Sequence, residues 1–222
     1  MATTKFQRWG VLTILIVTVV GTIGSFAVMI LASQNQTTES AAQQTAYTAY
    51  QANYKVYQAK VDAQASELST QYYATFSPYG SQVGTFDLSS VKDLVKTDLV
   101  VGDGEEITGT TQFAAYYIGW NPKGKIFDQS FDTATSKLKA PLAIATGLDS
   151  ASLISGWIEG MKGMKLGGVR ALTIPSDKAY GEAGQGDDIP ANTPLKFVVM
   201  AIPAPATIEQ PEVPAELYAA GQ

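Results

Sequence analysis

The sequence predicts an α+β domain in the second half of the chain, in which an antiparallel sheet curls around one short helix. Between residues 87 and 203, short apolar segments are separated by turns rich in glycine and proline, as in a domain built of strands. Residues 153–161 differ, because their apolar side chains recur with the period of a helix. A single amphipathic helix among strands is usually covered by a sheet.

Composition excludes several classes of chemistry. The 222 residues include no cysteine and no histidine, which rules out disulfides, thiolate nucleophiles, His-dependent triads and the usual zinc sites. Charged residues make up 16% of the chain and the net charge is −5, which argues against a nucleic-acid-binding surface. Chemistry must therefore rely on carboxylates, hydroxyls, backbone groups or the shape of a pocket, and we expect neither metal nor cofactor.

A long apolar stretch follows a short basic N-terminus. Residues 1–8 carry Lys5 and Arg8, whereas residues 9–32 carry no charge. A helix of this length reaches ~36 Å, enough to cross a hydrocarbon core of ~30 Å. We expect a signal anchor in the cell membrane, with residues 1–8 in the cytoplasm and the rest of the chain outside it. The alternative is a cleaved signal peptide, whose apolar core is normally shorter, about 7–15 residues.

Residues 33–75 predict a long helical spacer rich in Gln, Ala and Tyr. Within 36–73 there is no glycine or proline, and apolar side chains recur at spacings of three and four residues. They are Tyr47, Tyr50, Tyr54, Tyr57, Val61 and Leu68. Two interpretations stay open: the helix packs on its own globular domain, or residues 36–73 form a coiled coil that makes a homodimer.

The remaining elements follow in order after a turn-rich linker at 76–86. The predicted strands are 98–101, 112–119, 125–128, 142–145, 169–174 and 195–202. Side-chain oxygens of Asp149, Ser150 and Ser152 are candidates for the N-cap of the helix. A long loop, 176–192, precedes the last strand, and we expect its acidic residues at the surface. The proline-rich residues 204–222 lack periodicity and predict a flexible tail.

Several motifs between residues 87 and 203 resemble those of FK506-binding-protein (FKBP) type peptidyl-prolyl cis-trans isomerases. They are YYIG at 116–119, GKIFDQS at 124–130, GWIEG at 156–160, LTIP at 172–175, AYG at 179–181, IP at 189–190 and LKF at 195–197. Each motif alone is weak, but together they follow the family's order and spacing. The family's fold is a sheet curled around one helix, which agrees with the fold predicted from periodicity.

The resemblance implies a proline-binding pocket between helix and sheet, with Trp157 as its floor. Its walls would be Tyr117, Phe127, Leu142, Leu153, Ile154, Tyr180, Ile189 and Phe197. Asp128, Tyr117 and Tyr180 are the implied catalytic residues, and the Ile154 backbone N–H would bind a substrate carbonyl. The residues themselves support one of these assignments, because a carboxylate directly after a buried Phe needs a partner such as a Tyr hydroxyl or an Arg.

The sequence departs from the family's pattern around the pocket. Tyr116 stands where the family often has His, and Leu142 stands where it has a Phe. Gln185 and Asp188 replace more apolar or aromatic loop residues, and 133–136 offer no basic partner for Asp128. These changes bear on substrate preference and on binding of FK506-type macrolides more than on the fold.

The implied function is a membrane-anchored isomerase that assists the folding of extracytoplasmic proteins. It would act on Xaa-Pro segments of unfolded or nascent exported proteins. Rotating such a bond breaks no covalent bond, so the reaction needs no metal or cofactor. One rival hypothesis is a non-catalytic chaperone or scaffold that binds proline segments on the membrane exterior. Another is a structural envelope protein that acts mainly through the Tyr-rich helix.

Overall fold

The computed structural model of the chain describes residues 39–218, which fall into two compact units. One unit is Gln64–Ala206, and the other combines residues 39–63 with residues 207–218. The membrane anchor predicted at 9–32 lies outside the described residues. From residue 39 to residue 218, no helix is both long enough and apolar enough to cross a membrane.

The long helix predicted before the domain is confirmed. This helix, α1, spans Glu39–Phe76, a stretch without the glycine or proline that would interrupt it. A 3-10 turn, Ser77–Gln82, follows it within the predicted linker 76–86, and a second one, Leu88–Ser90, lies just after that linker.

The α+β fold of an antiparallel sheet and one short helix is also confirmed, and the helix, α2, spans Ser155–Met161. The strands are β1 Val95–Val100, β2 Phe113–Trp120, β3 Ile126–Gln129, β4 Phe131–Asp132, β5 Lys137–Leu138, β6 Leu142–Ile144, β7 Val169–Ile174 and β8 Leu195–Pro203. The main sheet has the order β1-β7-β8-β2-β3, and β6 also pairs with β2. The small β4–β5 hairpin was not predicted, because two-residue strands carry no periodic signal.

The centre of the sheet is buried on both of its faces. Along β2, successive side chains point to opposite sides, as the period of a strand requires. Tyr117 belongs to the cluster on the side of α2, which we call the inner face, and Tyr116 belongs to the cluster on the opposite, outer face. Every residue of β2 is buried.

The predicted N-cap of α2 is wrong. Ile154 takes the N-cap position with extended backbone and no side-chain cap. Asp149 and Ser150 lie in a separate 3-10 turn, Leu148–Ser150, and the Asp149 carboxylate pairs with Lys162 at 2.6 Å. The first turn of α2 therefore keeps free backbone N–H groups.

The outer face of the sheet is covered by the end of α1. Phe76 is fully buried there, and its ring stacks on that of Phe131 with centroids 5.2 Å apart. The Ser69 hydroxyl accepts a hydrogen bond of 2.8 Å from the backbone N–H of Leu138 in β5. For this part of α1, the first interpretation holds: the helix packs on its own domain.

In the other unit, α1 is accompanied by residues from the end of the chain. Tyr50 is buried, and its side chain hydrogen-bonds that of Gln210. Burial raises the pKa of Tyr50. Leu217, in the 3-10 turn Ala215–Leu217, is also buried. The flexibility predicted for 204–222 stays a prediction.

Candidate functional site

Four aromatic rings form a continuous array on the inner face of the sheet. Tyr117 meets Trp157 edge to face at 5.3 Å, and Trp157 meets Phe197 in the same way at 5.5 Å. Phe197 in turn meets Phe127 at 5.5 Å with an interplanar angle of 82°. Such edge-to-face pairs are mutually stabilising and fix the orientation of each ring. The array is built from β2, β3, α2 and β8, so it exists only in the folded domain.

The other apolar residues predicted for the pocket join the same cluster. Ile189 is buried within it, whereas the remaining ones are half-buried against it. The half-buried residues are Leu142, Leu153, Ile154 and Tyr180. The structure thus brings together every apolar residue that the sequence proposed for the pocket; their roles in binding stay predictions.

The polar pair of the site is Tyr117 and Asp128. The Tyr117 hydroxyl donates a hydrogen bond of 2.6 Å to Asp128 Oδ2, and the N–H of Gln129 donates one of 2.8 Å to Oδ1. The partner predicted for this half-buried carboxylate is therefore a Tyr hydroxyl. Burial, followed by the Asp128 charge, raises the pKa of Tyr117 far above its ordinary value.

Two donors near the pair are free to meet a ligand. The N–H of Ile154, at the start of α2, has no acceptor within residues 39–218. The Tyr180 hydroxyl likewise makes no hydrogen bond to any described residue. Burial and then the Asp128 charge raise the pKa of Tyr180, so its hydroxyl stays protonated at neutral pH. The site therefore combines an apolar container with fixed hydrogen-bond donors.

Gly119 is a site residue whose role the sequence did not reveal. A Cβ at this position would lie 2.5 Å from Phe197 Cε1 and 2.8 Å from Phe127 Cζ. Only a residue without a side chain lets both rings cross β2 at this point. The motif YYIG contained this glycine, but nothing in the motif indicated which rings would need the space.

Ser130 also supports the site from a buried position. Its hydroxyl accepts a hydrogen bond of 2.9 Å from the backbone N–H of Tyr117, and its own N–H donates to the Tyr117 carbonyl at 2.8 Å. These two bonds fix the backbone of Tyr117 beside the strand that carries Asp128. The GKIFDQS motif included Ser130 without indicating this contact.

One expectation about the loop 176–192 is wrong. Asp188 is not a fully solvated surface residue, because its side chain is only 18% exposed and pairs with Lys125. Glu182 and Asp187 do lie at the surface, as expected. Among the described residues, no cluster of three or more carboxylates is placed to hold a metal ion.

Comparison with known proteins identifies the region that carries this site. A family model described as FKBP-type peptidyl-prolyl cis-trans isomerase matches residues 89–202. An FK506-binding protein of Neisseria meningitidis serogroup A is 41% identical over 106 residues, which are 48% of this chain and 91% of that protein. A probable FK506-binding protein of Corynebacterium glutamicum is 38% identical over 114 residues, 51% of this chain and 88% of that protein.

Solved structures are also similar to this chain. A crystal structure of a peptidyl-prolyl cis-trans isomerase from Pseudomonas syringae pv. tomato shares 32% sequence identity with it. The match covers 64% of this chain and 94% of that one, with a TM-score of 0.43.

Proposed function

We propose that this chain, which belongs to the FKBP-type peptidyl-prolyl cis-trans isomerase family, assists protein folding outside the cytoplasm. Its substrates are Xaa-Pro segments of unfolded or nascent exported proteins. The observation that carries the proposal is the aromatic array around Trp157 beside the Tyr117–Asp128 pair.

The chemistry required is rotation about a partial double bond. Amide resonance sets a barrier of ~20 kcal/mol, and uncatalysed exchange of an Xaa-Pro bond takes tens to hundreds of seconds. The planar amide is more dipolar than the twisted one, so a dry apolar pocket disfavours the planar form. The rings of Phe127, Trp157 and Phe197 offer such a container for the proline ring.

Fixed donors complete the mechanism. The free N–H of Ile154 donates to a substrate carbonyl and sets the orientation of the peptide. The Tyr180 hydroxyl, protonated at neutral pH, is available to the carbonyl of the twisting amide. Asp128 is held by Tyr117 and the N–H of Gln129, so its carboxylate presents a fixed charge at the edge of the pocket.

The proposed location rests on the apolar residues 9–32, which we propose anchor the chain in the cell membrane with its N-terminus in the cytoplasm. Protease added to spheroplasts, in which only the cell membrane encloses the cytoplasm, should remove the isomerase domain under this topology, and protection of the domain would contradict it. Binding of FK506-type macrolides is proposed from the names of the relatives, with Leu142 and Asp188 expected to weaken it. A homodimer through 36–73 has less support, since Leu68 and Tyr72 pack on the sheet of their own chain.

A protease-free isomerisation assay on Xaa-Pro peptides tests the function. The fragment Gln64–Ala206 is one compact unit, and its cooperative unfolding is verified first. We expect acceleration by the unmodified fragment and a loss of about tenfold or more in kcat/KM for Asp128→Ala, with a smaller loss for Tyr180→Phe. The control is Glu182→Gln, an exposed residue of the loop that should change nothing. A folded fragment without activity would favour the non-catalytic chaperone.

A further inference from the structure

We infer that Asn121 and Lys125, in the β2–β3 turn, position the loop 181–192 at the isomerase pocket by holding Asp188. The inference rests on the proposed isomerase activity and names positioning residues for it.

The loop connects two parts of the pocket. Tyr180 lies immediately before the loop, and Ile189 lies near its end, buried in the cluster that contains the aromatic array. A shift of the loop would therefore move both residues relative to Trp157. The positions of these pocket side chains therefore depend on how firmly the loop is held.

The loop has little of its own to hold it. Gly181, Gly184 and Gly186 all have positive φ, a conformation that glycine reaches easily and also leaves easily. Most of its residues between 182 and 187 are exposed. Its backbone is held by four hydrogen bonds of 2.7–3.1 Å, donated by the N–H groups of Gly181, Gly184, Gln185 and Asn192. Packing alone therefore leaves the tip of the loop weakly restrained.

Two side chains of the β2–β3 turn reach across to Asp188. Asn121 is 5% exposed, and its Nδ2 donates a hydrogen bond of 2.8 Å to the backbone carbonyl of Asp188. The ammonium group of Lys125 donates to Asp188 Oδ1. Asp188 is thus held through its backbone by a buried donor and through its side chain by a cation, directly before Ile189 enters the pocket wall.

Asn121 also organises its own turn, which makes the link rigid. Its Oδ1 accepts hydrogen bonds of 3.0 and 3.1 Å from the N–H groups of Lys123 and Lys125. One amide side chain therefore joins the turn that leads into Phe127 and Asp128 to the loop that carries Ile189. We call the Asn121–Lys125–Asp188 contacts the loop clamp.

The variants separate the two halves of the loop clamp. Asn121→Asp keeps the oxygen that accepts from the turn and replaces the donor to Asp188 with a charged oxygen that repels the Asp188 carbonyl. Lys125→Met removes the ion pair, and Lys125→Arg restores it. The matched control is Lys123→Met, which alters an exposed lysine of the same turn whose side chain has no partner in the described part of the chain.

The full chain in detergent micelles is measured in two ways. The first is hydrogen exchange at the amides of Gly184, Gln185 and Asn192, with the amides of β8 as an internal check of global folding. The second is the split between KM and kcat on an Xaa-Pro peptide. We expect loop exchange to accelerate about tenfold in Asn121→Asp. In Lys125→Met we expect about two- to fivefold.

The kinetic constants should change in parallel with the rate of hydrogen exchange at the loop amides. KM should rise by about the same factors, with a smaller change in kcat. The reason is that a mobile loop weakens substrate binding more than it slows the isomerisation step. High salt should move the unmodified chain toward Lys125→Met and leave Lys125→Met itself unchanged. Lys125→Arg and Lys123→Met should match the unmodified chain in both measurements.

Unchanged loop exchange in both Asn121→Asp and Lys125→Met would overturn the inference, as would faster exchange without a change in KM. Faster hydrogen exchange at the amides of β8 in Asn121→Asp would indicate a general defect of the fold. The comparison of loop exchange in Lys125→Met and Lys125→Arg would then decide whether the loop clamp holds the loop. An unmodified chain without isomerase activity would refute the proposed function instead, while hydrogen exchange would still show whether the clamp holds the loop.

Discussion

Tyr116 and Tyr117 are neighbours on β2 but face opposite sides of the sheet, and only one of their hydroxyls has a hydrogen-bond partner among the described residues. On the inner face, the Tyr117 hydroxyl donates to Asp128 at 2.6 Å. On the outer face, the Tyr116 hydroxyl is buried without any partner in the described residues, as is the indole N–H of Trp120. Both faces are packed with apolar side chains, but the inner face gives its buried Tyr hydroxyl a carboxylate partner and the outer face does not.

The difference follows from what covers each face. The inner face is covered by α2 and the loop 181–192, both within residues 89–202 that match the family. The outer face is covered by residues 64–86, which precede that match. The aromatic array thus lies within the residues that match the family, whereas the residues that cover the outer face behind it precede that match. A buried orphan hydroxyl costs stability, so the apolar contacts around Tyr116 must more than offset it.

Removing the cover of the outer face should have the largest effect. The fragment 87–203, the domain bounds predicted from the sequence, lacks the outer-face side chains Leu68, Tyr72, Tyr73, Phe76, Tyr79, Val83 and Phe86. Burying one such side chain contributes about 1.5–3 kcal/mol. Only Phe76 of the seven is fully buried, but their combined loss is comparable with the ~5–15 kcal/mol net stability of a typical domain. We expect 87–203 not to unfold cooperatively on heating, whereas Gln64–Ala206 should.

A single substitution sharpens the same test. Phe76→Ala in Gln64–Ala206 should cost about 3–5 kcal/mol, and Phe76→Leu should cost much less because it retains most of the volume. Urea unfolding measures both. Equal thermal midpoints for the two fragments would show that α1 contributes nothing to the domain and would remove the basis of the comparison.

The next effect concerns a polar network on the inner side. Arg170 is buried and donates to both carboxylate oxygens of Asp98, at 2.6 and 3.1 Å, and to the carbonyl of Gly160 at 2.8 Å. Arg170→Met leaves these acceptors without their donor, so we expect a loss of about 2–4 kcal/mol in urea unfolding. Arg170→Lys, which keeps the charge but loses the fork, should lose less. If Arg170→Met leaves the free energy of unfolding unchanged, the hydrogen bonds of Arg170 add nothing to stability.

Tyr117→Phe should have a moderate effect on stability and a clear effect on activity. It removes the hydroxyl that holds Asp128, so we expect about 1–2 kcal/mol less stability. We expect a fall of about tenfold in kcat/KM. Isomerase assays and urea unfolding on Gln64–Ala206 measure the two quantities. Full activity in Tyr117→Phe would show that Asp128 needs no fixed partner.

Tyr116→Phe should have the smallest effect at neutral pH and a distinct one at alkaline pH. At pH 7 it removes an orphan hydroxyl, so stability should change by less than about 0.5 kcal/mol or rise slightly. Burial raises the pKa of Tyr116 to about 12, whereas an unfolded Tyr ionises near its ordinary value of 10.0. The unfolded state therefore releases this proton first, and stability falls as pH rises from about 10 to about 12.

Urea unfolding at pH 7 and at pH 10.5 measures this dependence. Tyr116→Phe should lose less stability between the two pH values than the unmodified Gln64–Ala206 fragment. A steeper loss in the variant, or a marked loss at pH 7, would show that the Tyr116 hydroxyl has a partner and that the two faces are alike.

Much of the fold and the site could be predicted because the signals are local. The period of apolar residues indicated α1, α2 and the main strands, and the resemblance to the family implied that Phe127, Asp128 and Trp157 share a pocket. The need of Asp128 for a partner followed from the cost of burying a carboxylate. These inferences depend on chemistry within a few residues along the chain.

Other features arise from residues that are distant along the chain. Ser69 meets Leu138, Asn121 meets Asp188 and Arg170 meets Asp98. No pattern within a short stretch of sequence predicts such contacts. For this reason Asp188 was expected at the surface, and the N-cap of α2 was assigned to the wrong residues. The β4–β5 hairpin was missed because its two-residue strands are too short to show a period, although Asp132 hydrogen-bonds within its turn and Ser69 of α1 accepts from Leu138.

The amino-acid sequence on its own therefore indicated both helices and the main strands, and it named the apolar residues that the folded chain gathers around Trp157. The spacing of Tyr47, Tyr50, Tyr54, Tyr57, Val61 and Leu68 also indicated which side of α1 is the less exposed one, but not what lies against that side. Apolar periodicity shows that a face must be buried, because exposing it to water is costly, yet it carries no information about the partner. That choice depends on shape and distance in the folded chain, where the end of α1 covers the outer face behind the pocket.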